Sequence, residues 1–487
     1  MKNLLLGLLV LFGLSSCSDK SLLSKVPEDA DWAGFLDFKE LAVQALDPAV
    51  LFSGGEKQNG KDEPEWENSG IDFLSKAVVF SEGREAGQIT RLLLPLNKRE
   101  DFEQFCKQEG KFQADSELGQ NWLKKGNVRI FLEDKLAIVL LPSDIIDAED
   151  YRKAKDNIDN QKEESSLLKK SDSFLELCEE GKSIGIWANL EPSLSQYSYY
   201  LPSDFFRGEF AGSLDFRSGE LVLDAGIRTA DSSASADFLG EALSRDFIET
   251  SVGNAASPGL LAISLSLPPL LQALESFGYS QAGSILLAQY GIQPEEILET
   301  LSGQMALSAE AIAGRKDGIP DFRLVLGLKK PADDLLAKLA LAGLISAQGE
   351  NQYSMTGIPG FLLRKNEKVL EISAAAAASK SKADEELLSF ANQEPAHLLG
   401  NLNLDAMENT IPDAEISASL TFLKKYWKSL RLRFGKTAPG KQRLSIRLQC
   451  RDEDDNSLKV MAECLRNIPA RIQAQERTSD NPPEPLF

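Results

Sequence analysis

Short runs of alternating apolar and polar residues recur along the chain. In one of them Leu430, Leu432 and Phe434 alternate with Arg431 and Arg433, and in the next Leu444, Ile446 and Leu448 alternate with polar neighbours. A period of two predicts strands, here the two arms of a hairpin. Alternation places the leucines inward and Arg431, Arg433, Arg443 and Arg447 outward. "NVRIFLEDKLAIVL" and "GFLLRKNEKVLEIS" likewise read as pairs of short strands around a polar turn, and "WAGFLDFKELAVQAL" as a strand running into a helix.

The same patterns occur twice. "RLLLPLNKRED" (Arg91 to Asp101) aligns without gaps on "RLVLGLKKPAD" (Arg323 to Asp333), with Leu92, Leu94 and Leu96 on Leu324, Leu326 and Leu328. Pro95 falls on Gly327, which predicts a strand edge or a bulge there. On either side further segments match in the same order, down to a closing helix in each half, "SADFLGEALSRDFI" and "NSLKVMAECLRNI". Internal similarity of this kind points to repeated architecture. The expected fold class is α+β: two tandem degenerate copies of a largely antiparallel sheet covered by helices, over residues 27–250 and 258–470. The copies differ in connections. The first has a polar stretch, Ser53 to Gly70, and a charged insertion, "DAEDYRKAKDNIDNQKEESS", read as a solvated helix. In the second, "SQAGSILLAQYG" reads as helix, and residues 471–487 form a polar tail expected to be disordered.

The N-terminus has a different pattern. Lys2 precedes an unbroken run of Leu, Val, Phe and Gly from Leu4 to Leu14. The run is too short to span a bilayer, which takes roughly 20 apolar residues, and has the length of a signal-peptide core. Leu14-Ser15-Ser16-Cys17 resembles the bacterial lipobox, in which cleavage precedes a cysteine that carries acyl chains such as palmitate. The resemblance implies a signal peptide over 1–16, lipidation at Cys17 and a tether over 17–26. More than one acyl chain gives stable anchoring. Ser18, in the second mature position, favours the outer membrane of a bacterial envelope.

Immediately after the tether, Val26, Pro27, Asp29 and Ala30 form a V-P-x-D-A segment. It resembles the opening of uncharacterised bacterial envelope lipoproteins with an internally duplicated α+β domain, in which this segment leads into a first strand and helix. That resemblance implies a layout and supplies no activity.

Composition narrows the function classes. A hydrophobic content of 43% over 487 residues supports sizeable cores, while a net charge of −21 argues against general nucleic-acid binding. The chain has a single histidine, His397, so histidine triads and histidine-based metal sites are nearly excluded, and no metal ligand set or cofactor is expected. "GYSQAG" (Gly278 to Gly283) is one residue too long for a nucleophile elbow. Cys106, Cys178, Cys450 and Cys464 read as core thiols, Cys450 with Cys464 being the likeliest bridge. One stretch departs from the acidic background: Phe422 to Cys450 holds nine basic residues and no Asp or Glu.

These observations lead to a lipid-anchored envelope protein without catalytic residues, acting as a binding or scaffold module. Its expected anion-binding residues are Arg431, Arg433, Arg443 and Arg447. An anionic lipid, a wall polymer or an acidic protein would be the partner. Two competing readings remain: a carboxylate-dependent hydrolase of cell-wall or glycan material, and a carrier of an apolar ligand.

Overall fold

The computed structural model describes residues 21–45, 68–82, 88–191, 207–229, 239–251, 257–269, 288–311, 321–374, 385–407 and 414–464. The chain divides into two compact units. Unit 1 takes Met1–Arg228 together with Asp454–Phe487, and unit 2 takes Thr229–Glu453.

Unit 1 contains β1 (Ala30–Asp37), β2 (Lys76–Glu82), β3 (Ile89–Pro95), β4 (Gln113–Ala114), β5 (Trp122–Lys125), β6 (Val128–Leu132), β7 (Leu136–Pro142), β8 (Ile184–Asn189), β9 (Gly208–Phe216) and β10 (Glu220–Thr229). Their order across the sheet is β4-β5-β6-β7-β3-β2-β1-β8-β9-β10, with antiparallel neighbours from β4 to β9. On one face Ala33, Phe35, Phe80, Leu93, Ile138, Leu140 and Trp187 pack with Phe174 and with Tyr151, Ala154 and Ile158. The last three lie on helix Ala148–Asn160, the charged insertion. It is therefore half-buried rather than solvated, because its few apolar residues fall at helical spacing on one side. Asp147 caps it by accepting from the backbone N–H groups of Glu149 and Asp150. A second cluster contains Phe38, Leu94, Leu96, Phe102, Leu123, Ile130 and Leu132.

Val26 and Ala30 of the V-P-x-D-A segment are buried at the edge of the first cluster, and Pro27 bridges to Ser166. This short motif is a packing element of unit 1.

Unit 2 contains β11 (Gly259–Ser264), β12 (Leu301–Ala311), β13 (Asp321–Leu328), β14 (Ile345–Gly349), β15 (Gln352–Met355), β16 (Phe361–Lys365), β17 (Val369–Ala374), β18 (Leu398–Asn403), β19 (Trp427–Ala438) and β20 (Lys441–Cys450). All its neighbours are antiparallel, in the order β14-β15-β16-β17-β13-β12-β11-β18-β19-β20. The order of unit 2 thus follows that of unit 1 strand for strand. Leu260, Ala262, Ala306, Val325 and Leu399 pack beneath helices Arg245–Ser251 and Glu385–Ala391, through Phe247, Ile248, Leu387 and Phe390.

The bulge expected at Gly327 lies on the strand opposite. The β12–β13 register shifts between Leu301 and Met305, and Gly303 sits there at φ 84° with the Leu265 carbonyl where a Cβ would be. Pro95 ends β3, where its missing N–H costs the ladder least.

The expected fold class is corrected. The protein is mostly antiparallel sheet, with 43% strand against 29% helix, rather than two tandem α+β copies covered by helices. Helix cover is incomplete, since apolar residues on one face of unit 2's sheet are half exposed. Nor are the compact units the contiguous blocks 27–250 and 258–470. Helix Arg245–Ser251, read as the end of the first copy, packs into the core of unit 2. The chain from Asp454 onward belongs to unit 1, where Asn456 bridges to Ser218, Gly219 N–H donates to the Asp455 carbonyl and Ser457 N–H to that of Arg217. A closing helix docks where a complementary apolar face is open, which sequence adjacency does not specify.

Candidate functional site

Register determines which side chains of unit 2 share a face. Leu261 of β11 stands opposite Leu307 of β12 and Gly400 of β18; Gly400 stands opposite Leu432, and Leu402 opposite Leu430 of β19. Side chains of directly paired residues lie on the same side of a sheet, so these residues form one apolar surface. They are the floor of a groove of about 900 Å³, completed by Phe322, Leu398, Met407 and the chain at Pro258 and Gly259. Gly400 adds no side chain at the centre of the floor. Leu261 is 50% exposed and Leu307 48%, so the floor is accessible. No Asp, Glu, Lys, Arg, His or Cys is among the described lining residues. Such a surface holds apolar matter by exclusion of water, at roughly 25 cal/mol per Å² covered, and Ser308 and Asn401 are the polar residues among its described lining.

The same alternation sends the arginines to the other face, under helix Glu385–Ala391. The expected polarity of the β19–β20 hairpin is reversed: Arg433 is buried, while Leu430 and Leu432 line the groove. Arg431 pairs with Glu386, whose carboxyl this hydrogen bond holds below its usual range. Arg433 donates to the Phe390 carbonyl at 2.9 Å and pairs with Glu394 at 3.3 Å. Arg443 reaches the other oxygen of Glu394 at 2.8 Å, and Arg447 donates to Gln393 Oε1 at 2.9 Å. Arg433 and Arg447 both lie over the Phe390 ring, at 5.1 and 5.0 Å. The structure therefore brings the four predicted residues together, and three of them, Arg431, Arg433 and Arg443, are ion-paired within the chain. The partners had a sequence signal that the reading missed. Glu386, Phe390, Gln393 and Glu394 recur at three- and four-residue spacing, one side of a helical turn pattern.

The remaining candidates for chemistry are structural. His397 is buried; its Nδ1 accepts from the Lys436 backbone N–H at 3.2 Å, and its backbone N–H donates to the Phe434 carbonyl. Burial, then the positive charge of Lys436, holds its pKa below the ordinary value. Cys106, Cys178, Cys450 and Cys464 are buried thiols outside any disulfide, so the Cys450–Cys464 bridge is not formed. Burial pushes the Cys106 and Cys178 thiols up to about 12, which leaves little reactive thiolate. Sequence reading also missed two buried carboxylates of unit 1. Asp37 pairs with Lys76 at 3.3 Å, and Asp115 with Arg129 Nε at 2.7 Å, the latter as an ion pair outside hydrogen-bond direction. Among the described residues no group of three His, Cys, Asp or Glu can hold a metal ion. No described helix is long and apolar enough to cross a membrane. Cys17, the signal peptide 1–16, the tether up to residue 20, Gly278 to Gly283 and the 471–487 tail lie outside the described residues.

No protein-family model matches the chain, and no curated protein matches it. Solved structures of TP0453 are similar over part of it. Crystal form I aligns at 10% identity and a TM-score of 0.29, covering 44% of this chain and 81% of that one. Crystal form III aligns at 12% identity and a TM-score of 0.30, with the same coverage. Overlap this loose carries no argument about fold or function.

Proposed function

We propose that the chain is a lipid-anchored protein of the bacterial envelope, at the outer membrane, and works as a non-catalytic binding module that carries an apolar ligand. The anchor rests on the lipobox-like Leu14 to Cys17. The binding role rests on one observation: a groove of about 900 Å³ on the sheet of unit 2, lined almost wholly by Leu, Phe, Met, Ala, Gly and Pro. Its size falls within the range of small-molecule sites, roughly 300–1,000 Å³, and its lining is of the kind that such sites use. A hydrolase reading has no specific observation in its favour, because the described groove lining holds no carboxylate.

The test is titration of the full chain carrying Cys17→Ala with a fluorescent stearic acid analogue. Saturable uptake is expected. Leu307→Glu and Leu432→Glu should each weaken it by about tenfold or more, since covering an unpaired carboxylate costs more than the ~1.4 kcal/mol that a decade represents. Uptake that never saturates, or that both variants leave unchanged, rules the reading out.

A further inference from the structure

Four guanidinium groups meet one acidic helix and the turn after it, and they are not equally paired. Glu386 answers Arg431, and Glu394 is divided between Arg433 and Arg443. Among the described residues Arg447 has no carboxylate within ion-pair distance. Its partners are the neutral Gln393 Oε1 and the Phe390 ring. Among the described residues, these four guanidinium groups therefore make their ion pairs with two carboxylates, Glu386 and Glu394. The imbalance is compounded by register, because Arg447 stands directly opposite Arg431 on β19. Like charges in that arrangement are unfavourable unless something between or beside them compensates.

The uneven pairing has a location. Arg431 and Arg433 are well buried, with side-chain exposures of 16% and 7%, whereas Arg443 is 48% exposed. Arg443 and Arg447 are four residues apart on one face of β20, about 13 Å along a strand, yet their head groups reach adjacent residues, Glu394 and Gln393. They converge on the turn after helix Glu385–Ala391, and Gln393 is exposed there. A guanidinium presents parallel N–H donors that match the oxygens of a phosphate, and a charged oxygen accepts more strongly than an amide carbonyl. An arriving phosphate would displace Gln393 from Arg447, share Arg443 with Glu394 and give Arg447 an anionic partner. The overall charge of −21 opposes this only weakly, since exposed charges beyond about 8 Å are screened at physiological salt.

We propose that Arg443 and Arg447 form a binding site for a phosphate group, with Arg431 and Arg433 as the ion-paired struts that hold the hairpin beneath the helix. The site is on the opposite sheet face from the apolar groove, because Arg431 and Arg433 alternate with Leu430 and Leu432. The two sites can therefore fail separately.

The experiment uses the full chain with Cys17→Ala. It is titrated at low salt with inorganic phosphate and, separately, with vesicles of phosphatidylglycerol in phosphatidylcholine. Binding to phosphate alone supports a soluble phosphorylated ligand, and binding to vesicles alone a lipid headgroup; either supports the site. In both arms affinity should drop as sodium chloride is added, and Arg443→Gln with Arg447→Gln should weaken it by about tenfold or more. Lys153→Gln with Lys169→Gln, an equal loss of two charges elsewhere, should leave it unchanged. A variant-free arm guards against misfolding. The melting temperature of the Cys17→Ala chain should rise with the bound probe and not with chloride at equal ionic strength. Absence of binding in both arms, or equal loss in the double-lysine control, overturns the proposal.

Discussion

At the scale of single residues, the chain places ionisable groups where their partners decide the outcome. His397 is the clearest case. Its Nδ1 can accept from Lys436 N–H only while unprotonated, and both burial and the Lys436 charge favour that form. The folded pKa is therefore below the unfolded value of about 6.5. Between those two values the unfolded chain binds more protons than the folded one, so stability rises with pH across that window. His397 thus contributes stability that is fully present above about pH 6.5 and is lost as the pH falls through the folded value. Urea denaturation at a series of pH values from 7.5 downward should show this loss, and His397→Gln should flatten it within that window. An unaltered slope in the variant would assign the acid sensitivity elsewhere. The type of His397 was legible as structural from its isolation in the sequence; its partners were not, since Lys436 and Phe434 are on another strand.

At the scale of elements, the strands follow their pattern and the faces do not. Alternation in Leu430 to Phe434 correctly marks β19, but a period of two defines two faces without saying which is covered. The helix carrying Glu386 and Phe390 decides it, by satisfying the arginines on one side and leaving the leucines for the groove. The charged insertion shows the converse: three residues, Tyr151, Ala154 and Ile158, were enough to bury one side of a helix that composition alone marks as solvated. Close approach between strands is equally invisible in a pattern. In β8, Gly185 stands opposite Phe35 of β1, and a Cβ there would meet the Phe35 ring at 2.3 Å. Overpacking of this kind typically costs about 1–3 kcal/mol. Gly185→Ala should destabilise the protein by that amount in a denaturant titration, and Phe35→Leu in the same chain should restore part of it. Equal stability of Gly185→Ala and the parent would show that the ring moves aside freely.

At the scale of the whole molecule, the proposed location rests on the first seventeen residues and the proposed binding on the folded sheets. Cys17→Ala should shift the protein from the membrane fraction to the soluble fraction, and intact mass of the mature parent chain should show added acyl groups. Persistent membrane association without acyl mass would remove the anchor from the proposed function. What the sequence by itself determined here is the local record: the strands, the order in which their patterns recur from Arg91 and Arg323, the acidic balance and the scarcity of histidine. These depend on the period of side chains along a backbone and on residue type, both of which survive in one dimension. The tertiary structure alone decided that strand outweighs helix, that the chain from Asp454 returns to unit 1, which sheet face became an apolar groove, and that Arg443 and Arg447 converge on one turn. Each of those depends on which distant surfaces exclude water together and which charges come within a few ångströms, and neighbours along the chain do not encode that separately from the fold.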